Sequence, residues 1–250
     1  MTTPVFIAVV AVGVGVGFLS GMFGKGGSAV ATPLLAAAGI PAVVAVASPL
    51  PATIPTTIAA SAVYWRRGWL ERRVLAATLA LGVPATVVGA LVTQWVSGAV
   101  LVLVTDALIA GIGLRLLWSG PGEEAPAEEP ASTRWSAVIG AGVGFSAGLL
   151  ANSGGALLAP LYLTVLGLPI KRTFATSLTA ATVLAIPATA IHIWLGHIDW
   201  AIVATLAATS VPFSILGSRV AVATRAARLE RLYAITLTVL GSVMLARGLL

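Results

Sequence analysis

Two short strings hold the residues best placed to do chemistry: Gly24-Lys25-Gly26-Gly27-Ser28 and Asn152-Ser153-Gly154-Gly155. Each follows an apolar run stepped with small residues, Gly13, Gly17 and Gly21 before the first and Gly140, Gly144 and Gly148 before the second. Each precedes an apolar piece too short to cross a bilayer comfortably, 28–38 and 156–166. Consecutive glycines are costly inside a helix, so both strings predict a helix break. A helix that restarts at a break presents unpaired amides and a partial positive charge, and both favour an anion. Gly26, Gly27 and Ser28, with Ser153, Gly154 and Gly155, supply amides, hydroxyls and close backbone approach, while Lys25 adds a full charge and Asn152 a side-chain amide. The plainer reading makes the glycines tight turns or packing contacts and Lys25 an interfacial anchor.

Hydroxyls come next. Ser48, Thr176 and Ser177 are candidate substrate contacts, with Thr53 and Thr182 behind them. Hydroxyls in membrane helices also bond back to their own backbone, so the structural alternative stays open. Asp106 stands inside an apolar segment, where an acid is expensive and often functional, and it is the candidate for proton or cation coupling. His192 and His197, five residues apart, fall short of a metal set. The string around Lys25 lacks the first glycine and the final Ser or Thr of a phosphate-binding loop, so no nucleotide or other cofactor is called for. An intramembrane enzyme would need a nucleophile with a base or a metal site, and neither HExxH nor GxSxG occurs. An accessory membrane subunit without transport activity is the other alternative, and cation transport stays open as well.

The elements that must position these residues are membrane helices. The chain is 58% hydrophobic and only 9% charged, with mean hydropathy +1.04, against about 25% charged for soluble domains. Its main partner is therefore the lipid bilayer. The net charge of +6 reads as loop anchoring and not as nucleic-acid binding. With no cysteine there is no disulfide framework and no thiolate nucleophile. The uncharged start, Met1-Thr2-Thr3-Pro4, argues against a cleaved signal peptide. Trp65, Trp69, Trp118, Trp135, Trp194 and Trp200 sit at segment ends as an interfacial belt.

Apolar segments are expected over 5–23, 28–38, 43–65, 74–96 and 99–118; the third is seeded with Pro49, Pro51 and Pro55 and reads as one kinked helix facing the interior. The acidic, Pro- and Ala-rich stretch 119–134 reads as a flexible linker between a first membrane repeat, 1–118, and a second, 135–250. The halves align. At a shift of 127, Phe18 meets Phe145, Gly21 meets Gly148 and Pro33 meets Pro160; at 128, Gly39 meets Gly167, Pro41 meets Pro169, Gly68 meets Gly196 and Pro84 meets Pro212. This is an internal duplication. Its basic loops alternate: Arg66, Arg67, Arg72 and Arg73 follow the third segment of the first half, whereas Arg219, Arg225, Arg228 and Arg231 follow the fourth of the second. By the positive-inside rule the halves are expected to lie in opposite orientation, with an odd number of segments in each, five or else three plus a re-entrant hairpin, and with the linker and basic loops cytoplasmic. The expected fold is an all-α inverted-repeat bundle with broken helices near the midplane, an arrangement that recurs in secondary transporters. No feature fixes an oligomeric state.

At Gly17-Phe18-Leu19-Ser20-Gly21-Met22-Phe23-Gly24 with Gly26-Gly27, Pro33-Leu34-Leu35 and Gly39-Ile40-Pro41, the chain resembles the TauE/SafE family of sulfite exporters. The steps Ala47-Ser48 and Ala175-Thr176-Ser177 add to the likeness, as do the turns Tyr64-Trp65-Arg66-Arg67-Gly68 and Gly196-His197-Ile198-Asp199-Trp200. The resemblance covers both halves. It implies a multi-pass plasma-membrane (inner-membrane) carrier of a small sulfur-containing anion: sulfite, thiosulfate or an organosulfonate. Lys25, where an apolar residue is expected, and Pro49, opposite Ser177, depart from the pattern.

Overall fold

The computed structural model describes residues 3–24, 28–92, 131–150 and 153–248, with 111, 114 and 118 singly. Lys25, Gly26, Gly27, Asn152 and Asp106, and almost all of the segment 99–118 and the linker, lie outside the described residues. The described elements are all helices: α1 (Thr3–Phe23), α2 (Ser28–Ala37), α3 (Ala42–Ala47), α4 (Pro49–Trp65), α5 (Arg72–Val92), α6 (Thr133–Leu149), α7 (Gly155–Thr164), α8 (Ile170–Trp194), α9 (Trp200–Ala223) and α10 (Ala226–Gly248). Among the described residues, five stretches are long and apolar enough to span a membrane: α1, α3 with α4, α5, α8 and α9. At 1.5 Å per residue the 21 residues of α1 reach about 30 Å, the thickness of a hydrocarbon core.

Polarity is arranged as lipid requires. Phe6, Ile7, Ile58, Val88, Ile186 and Leu216 face outward, while Ser20, Thr53, Thr56, Thr57, Thr78, Ser210 and Ser214 are buried. Apolar surface has nothing to gain by hiding from lipid, whereas a hydroxyl there needs a partner. The partners are mostly backbone carbonyls one turn back, as at Thr53 to Pro49, Thr86 to Gly82 and Thr182 to Leu178. Trp65, Trp135, Trp194 and Trp200 are exposed at helix ends, the placement expected of a belt.

Two crossings carry the bundle: α1 against α9 and α5 against α6. At both, glycine lets backbone touch backbone. A Cβ on Gly17 would overlap the Ser210 backbone, one on Gly21 that of Ser214, and one on Gly217 that of Phe18. At the other crossing Gly144 meets Gly82, Gly148 meets Thr86, and Gly89 meets Phe145. These are the same contacts under the shifts of 127 and 128. Positions that align between the halves also share local conformation. Gly39 and Gly167, and Gly68 and Gly196, all have positive φ (84°, 63°, 70° and 71°) at equivalent turns.

α4 packs against both α8 and α9, and α8, the most enclosed of the long helices, also packs on α5 and α7. Hydroxyl pairs stitch these seams: Thr57 with Thr182 at 2.7 Å, Thr56 with Ser210, and the Trp65 Nε1 donating to Thr179 at 2.9 Å. Residues 43–65 form one spanning stretch, kinked as expected: α3 ends at Ala47, Ser48 forms a turn and Pro49 opens α4. Pro49 has no N–H to carry the ladder through, and its fixed φ suits the first position of a new helix.

Candidate functional site

The helix starts that follow the two glycine-rich strings meet. Ser28, the first residue of α2, accepts the Ser153 backbone N–H at 3.0 Å on its Oγ, and the two hydroxyl oxygens lie 3.1 Å apart. Both side chains are fully buried. Gly154 follows at the N-cap of α7 with φ 71° and ψ −13°, a left-handed conformation that strains any residue with a Cβ. A Cβ there would also press on Val143 and Ala147, at 3.0 and 3.3 Å. The Leu157 and Leu158 N–H groups both bond to the Gly154 carbonyl, so Gly155 and Ala156, buried in the same turn, have amides with no helical partner. Gly24, which ends the ladder of α1, has φ 66°, and a Cβ on it would lie 2.6 Å from Phe174 Cα.

Of the sequence candidates, Ser28, Ser153, Gly154 and Gly155 are thus together. Ser177 joins them indirectly: its Oγ donates to the Gly24 carbonyl at 2.7 Å and so braces the first break. Ser48 and Thr176 are elsewhere. Ser48 Oγ accepts the Asp199 N–H at 3.0 Å, and Thr176 Oγ1 accepts the Glu71 N–H at 3.1 Å. These are one interaction made twice, since 48 and 176, and 71 and 199, are equivalent at a shift of 128. Each hydroxyl fastens the residue that precedes α5 or α9 in the opposite half. Asp199 then caps α9, its Oδ1 accepting from Ala201 and Ile202 at 2.8 and 3.2 Å. Thr53 bonds its own helix and borders a cavity of about 20 Å³ with Ala31, Thr56 and Ser210, room for about one water. His192 and His197 face each other, Nδ1 to Nδ1 at 3.4 Å, and no cluster of metal-ligating side chains occurs among the described residues.

Ser20 escaped the sequence reading: one turn before Gly24, it is buried, and its Oγ, like Thr189 Oγ1, His192 Nε2 and the Tyr233 hydroxyl, has no hydrogen-bond partner among the described residues. Its repeat equivalent is Ala147, so a departure from the duplication was the available signal. A buried, unpaired hydroxyl is unusual and costs about 1–3 kcal/mol.

Outward apolar helices, a hydroxyl-rich interior and two short helices that begin in contact with each other define a multi-pass integral membrane protein. Its family can be stated. The family model described as Sulfite exporter TauE/SafE matches residues 9–244, nearly the whole chain, and the protein belongs to that family. It is a family of membrane anion exporters and not of enzymes. No curated protein and no solved structure matches the chain.

Proposed function

We propose that the protein is a secondary transporter that moves a small sulfur-containing anion, sulfite, thiosulfate or an organosulfonate, across the cell membrane by alternating access around the paired breaks. The observation that carries this reading is the contact between the two half-helix starts, Ser28 Oγ holding the Ser153 N–H at 3.0 Å. Two buried helix N-termini brought together bring partial positive charges together, and an anion between them relieves both. The first-turn amides of Gly155 and Ala156 at the start of α7 and the orphan hydroxyl of Ser20 supply donors of the kind an oxyanion accepts.

The conformation described is closed. Ser28 and Ser153 bond to each other, and the small void bordered by Ala31 and Thr53 holds about one water. An anion enters only when the breaks part, which makes the contact a gate as well as a site. The equivalent crossings α1–α9 and α5–α6, each joining a helix of one half to a helix of the other, form two matching frames, and the alternating arginine loops favour opposite orientations, with the basic loops cytoplasmic. Rocking one frame against the other opens the breaks to either side in turn. Lys25, Gly26, Gly27 and Asn152 adjoin the breaks in sequence and complete the proposed substrate set, and Asp106 is the proposed coupling residue.

The test is uptake of labelled sulfite and thiosulfate into proteoliposomes, with and without an imposed pH gradient. Saturable, protein-dependent uptake supports the reading, and acceleration by the gradient supports proton coupling. No uptake of either anion or of a sulfonate, by protein shown to be folded, overturns it.

A further inference from the structure

Away from the breaks, the ends of α4 and α9 splay around a cavity of about 810 Å³. Its rim is cationic: Arg66, Arg67 and Arg219, with Lys171. Among the described residues no carboxylate lines it. The one ion pair among the described residues, Arg172 with Glu71, uses neither the three arginines nor Lys171. Lys171 is already engaged, donating to the Val222 carbonyl at 3.1 Å with its ammonium 5.3 Å from the Trp69 ring centroid. The three guanidiniums are exposed and have no hydrogen-bond partner. The wall below them is apolar, built from Ala59 and Val63 of α4 and Ile215 and Val222 of α9, all half-buried.

We infer that this cavity binds one anionic phospholipid, its phosphate against Arg66, Arg67 and Arg219 and an acyl chain along the wall between α4 and α9. Three features select a lipid over a free oxyanion. The volume is many times the roughly 30 Å³ of a water and suits a drug-sized or larger ligand. The apolar wall has no use for a hydrated inorganic ion. The site also lies where spanning helices end, beside Trp65 and Trp69, at the level of headgroups. A free phosphate or sulfite shares the charge chemistry but leaves the wall unused. The inference stands apart from the transport reading, since it concerns a different cavity.

The experiment is native mass spectrometry of the full chain in detergent, with dioleoyl phosphatidylglycerol or dioleoyl phosphatidylcholine added, paired with thermal unfolding under the same conditions. The wild type is expected to retain one phosphatidylglycerol and to gain thermal stability from it at concentrations where phosphatidylcholine does neither. The triple variant Arg66→Ala, Arg67→Ala, Arg219→Ala is expected to lose affinity on the order of 100-fold, at roughly fivefold per basic residue near a membrane surface. Ile215→Trp, which fills the wall and keeps every charge, is expected to lose at least about tenfold. Equal retention of the two lipids by the wild type, a measurement that needs no variant to fold, overturns the inference. So does displacement of phosphatidylglycerol by millimolar inorganic phosphate or sulfite with Ile215→Trp unaffected, which would assign the rim to a free anion.

Discussion

The two halves align in sequence, yet the first is interrupted where the second runs on unbroken. Ser48-Pro49 ends α3 and opens α4; the equivalent Thr176-Ser177 lies inside the unbroken α8. Ser177 keeps an amide in the helix ladder and lends a hydroxyl to the Gly24 carbonyl, and Pro49 can do neither. The frame contacts, by contrast, fall at equivalent positions in both halves, with Ser210 and Ser214 standing where Gly82 and Thr86 stand. Glycine thus keeps the close backbone approach at both crossings, while the helices bordering the glycine-rich strings differ between the halves.

The largest expected effect would break the frame. Gly21→Val and Gly148→Val each drive a side chain into a facing backbone, Ser214 or Thr86, and each is expected to cost about 3 kcal/mol or more, read as loss of monodisperse protein or a collapsed Tm. Gly15 and Gly142, also an equivalent pair, face open space, and valine there is expected to change stability by no more than about 0.5 kcal/mol. Tolerance of valine at one of the two crossings would show that the frames are not equivalent. Next comes the bend. Ser177→Pro removes an amide donor from the middle of α8 and is expected to destabilise by about 3 kcal/mol, whereas Pro49→Ser is expected to stay within about 1 kcal/mol. A converse ranking in thermal unfolding would mean that the bend in the first half is required.

At the breaks, Ser28→Ala removes the acceptor of a buried N–H and is expected to destabilise by about 1–3 kcal/mol and to slow transport. Ser153→Ala keeps that N–H, so its effect on both should be smaller; an equal effect would place the Ser153 hydroxyl itself on the substrate. The smallest effects belong to the loop clamps. Ser48→Ala and Thr176→Val are each expected to lower stability by about 1 kcal/mol and leave KM for the anion unchanged. A raised KM in either would return that hydroxyl to the substrate path.

What was legible in the sequence follows from what each residue type can report. Gly24 and Gly154 announced breaks because few other residues accept their positive φ, and both have it. The glycine stripes announced close packing but not its partner. Small size says that a neighbour approaches, and it took the structure to show that the glycine stripe of α1 faces α9, a helix of the other half. Ser48 and Thr176 were marked as polar in an apolar run, yet their partners are backbone amides of distant loops, and an amide has no sequence signature. The basic cavity was half visible. Arg66, Arg67 and Arg219 read as loop anchors, and only the splay of α4 from α9 joins them over a common wall.

The exchange of helices between halves also bears on how the protein is made. α1 emerges from the ribosome early, but the surface its glycines fit is not synthesised until α9, after the linker and most of the second half. Until then its bare backbone stripe and the hydroxyls beside it must wait in the bilayer without a match, so assembly depends on contacts remote in sequence and closes late. A fragment ending within the linker is therefore expected to be degraded when expressed alone and rescued when the second half is co-expressed as a separate chain.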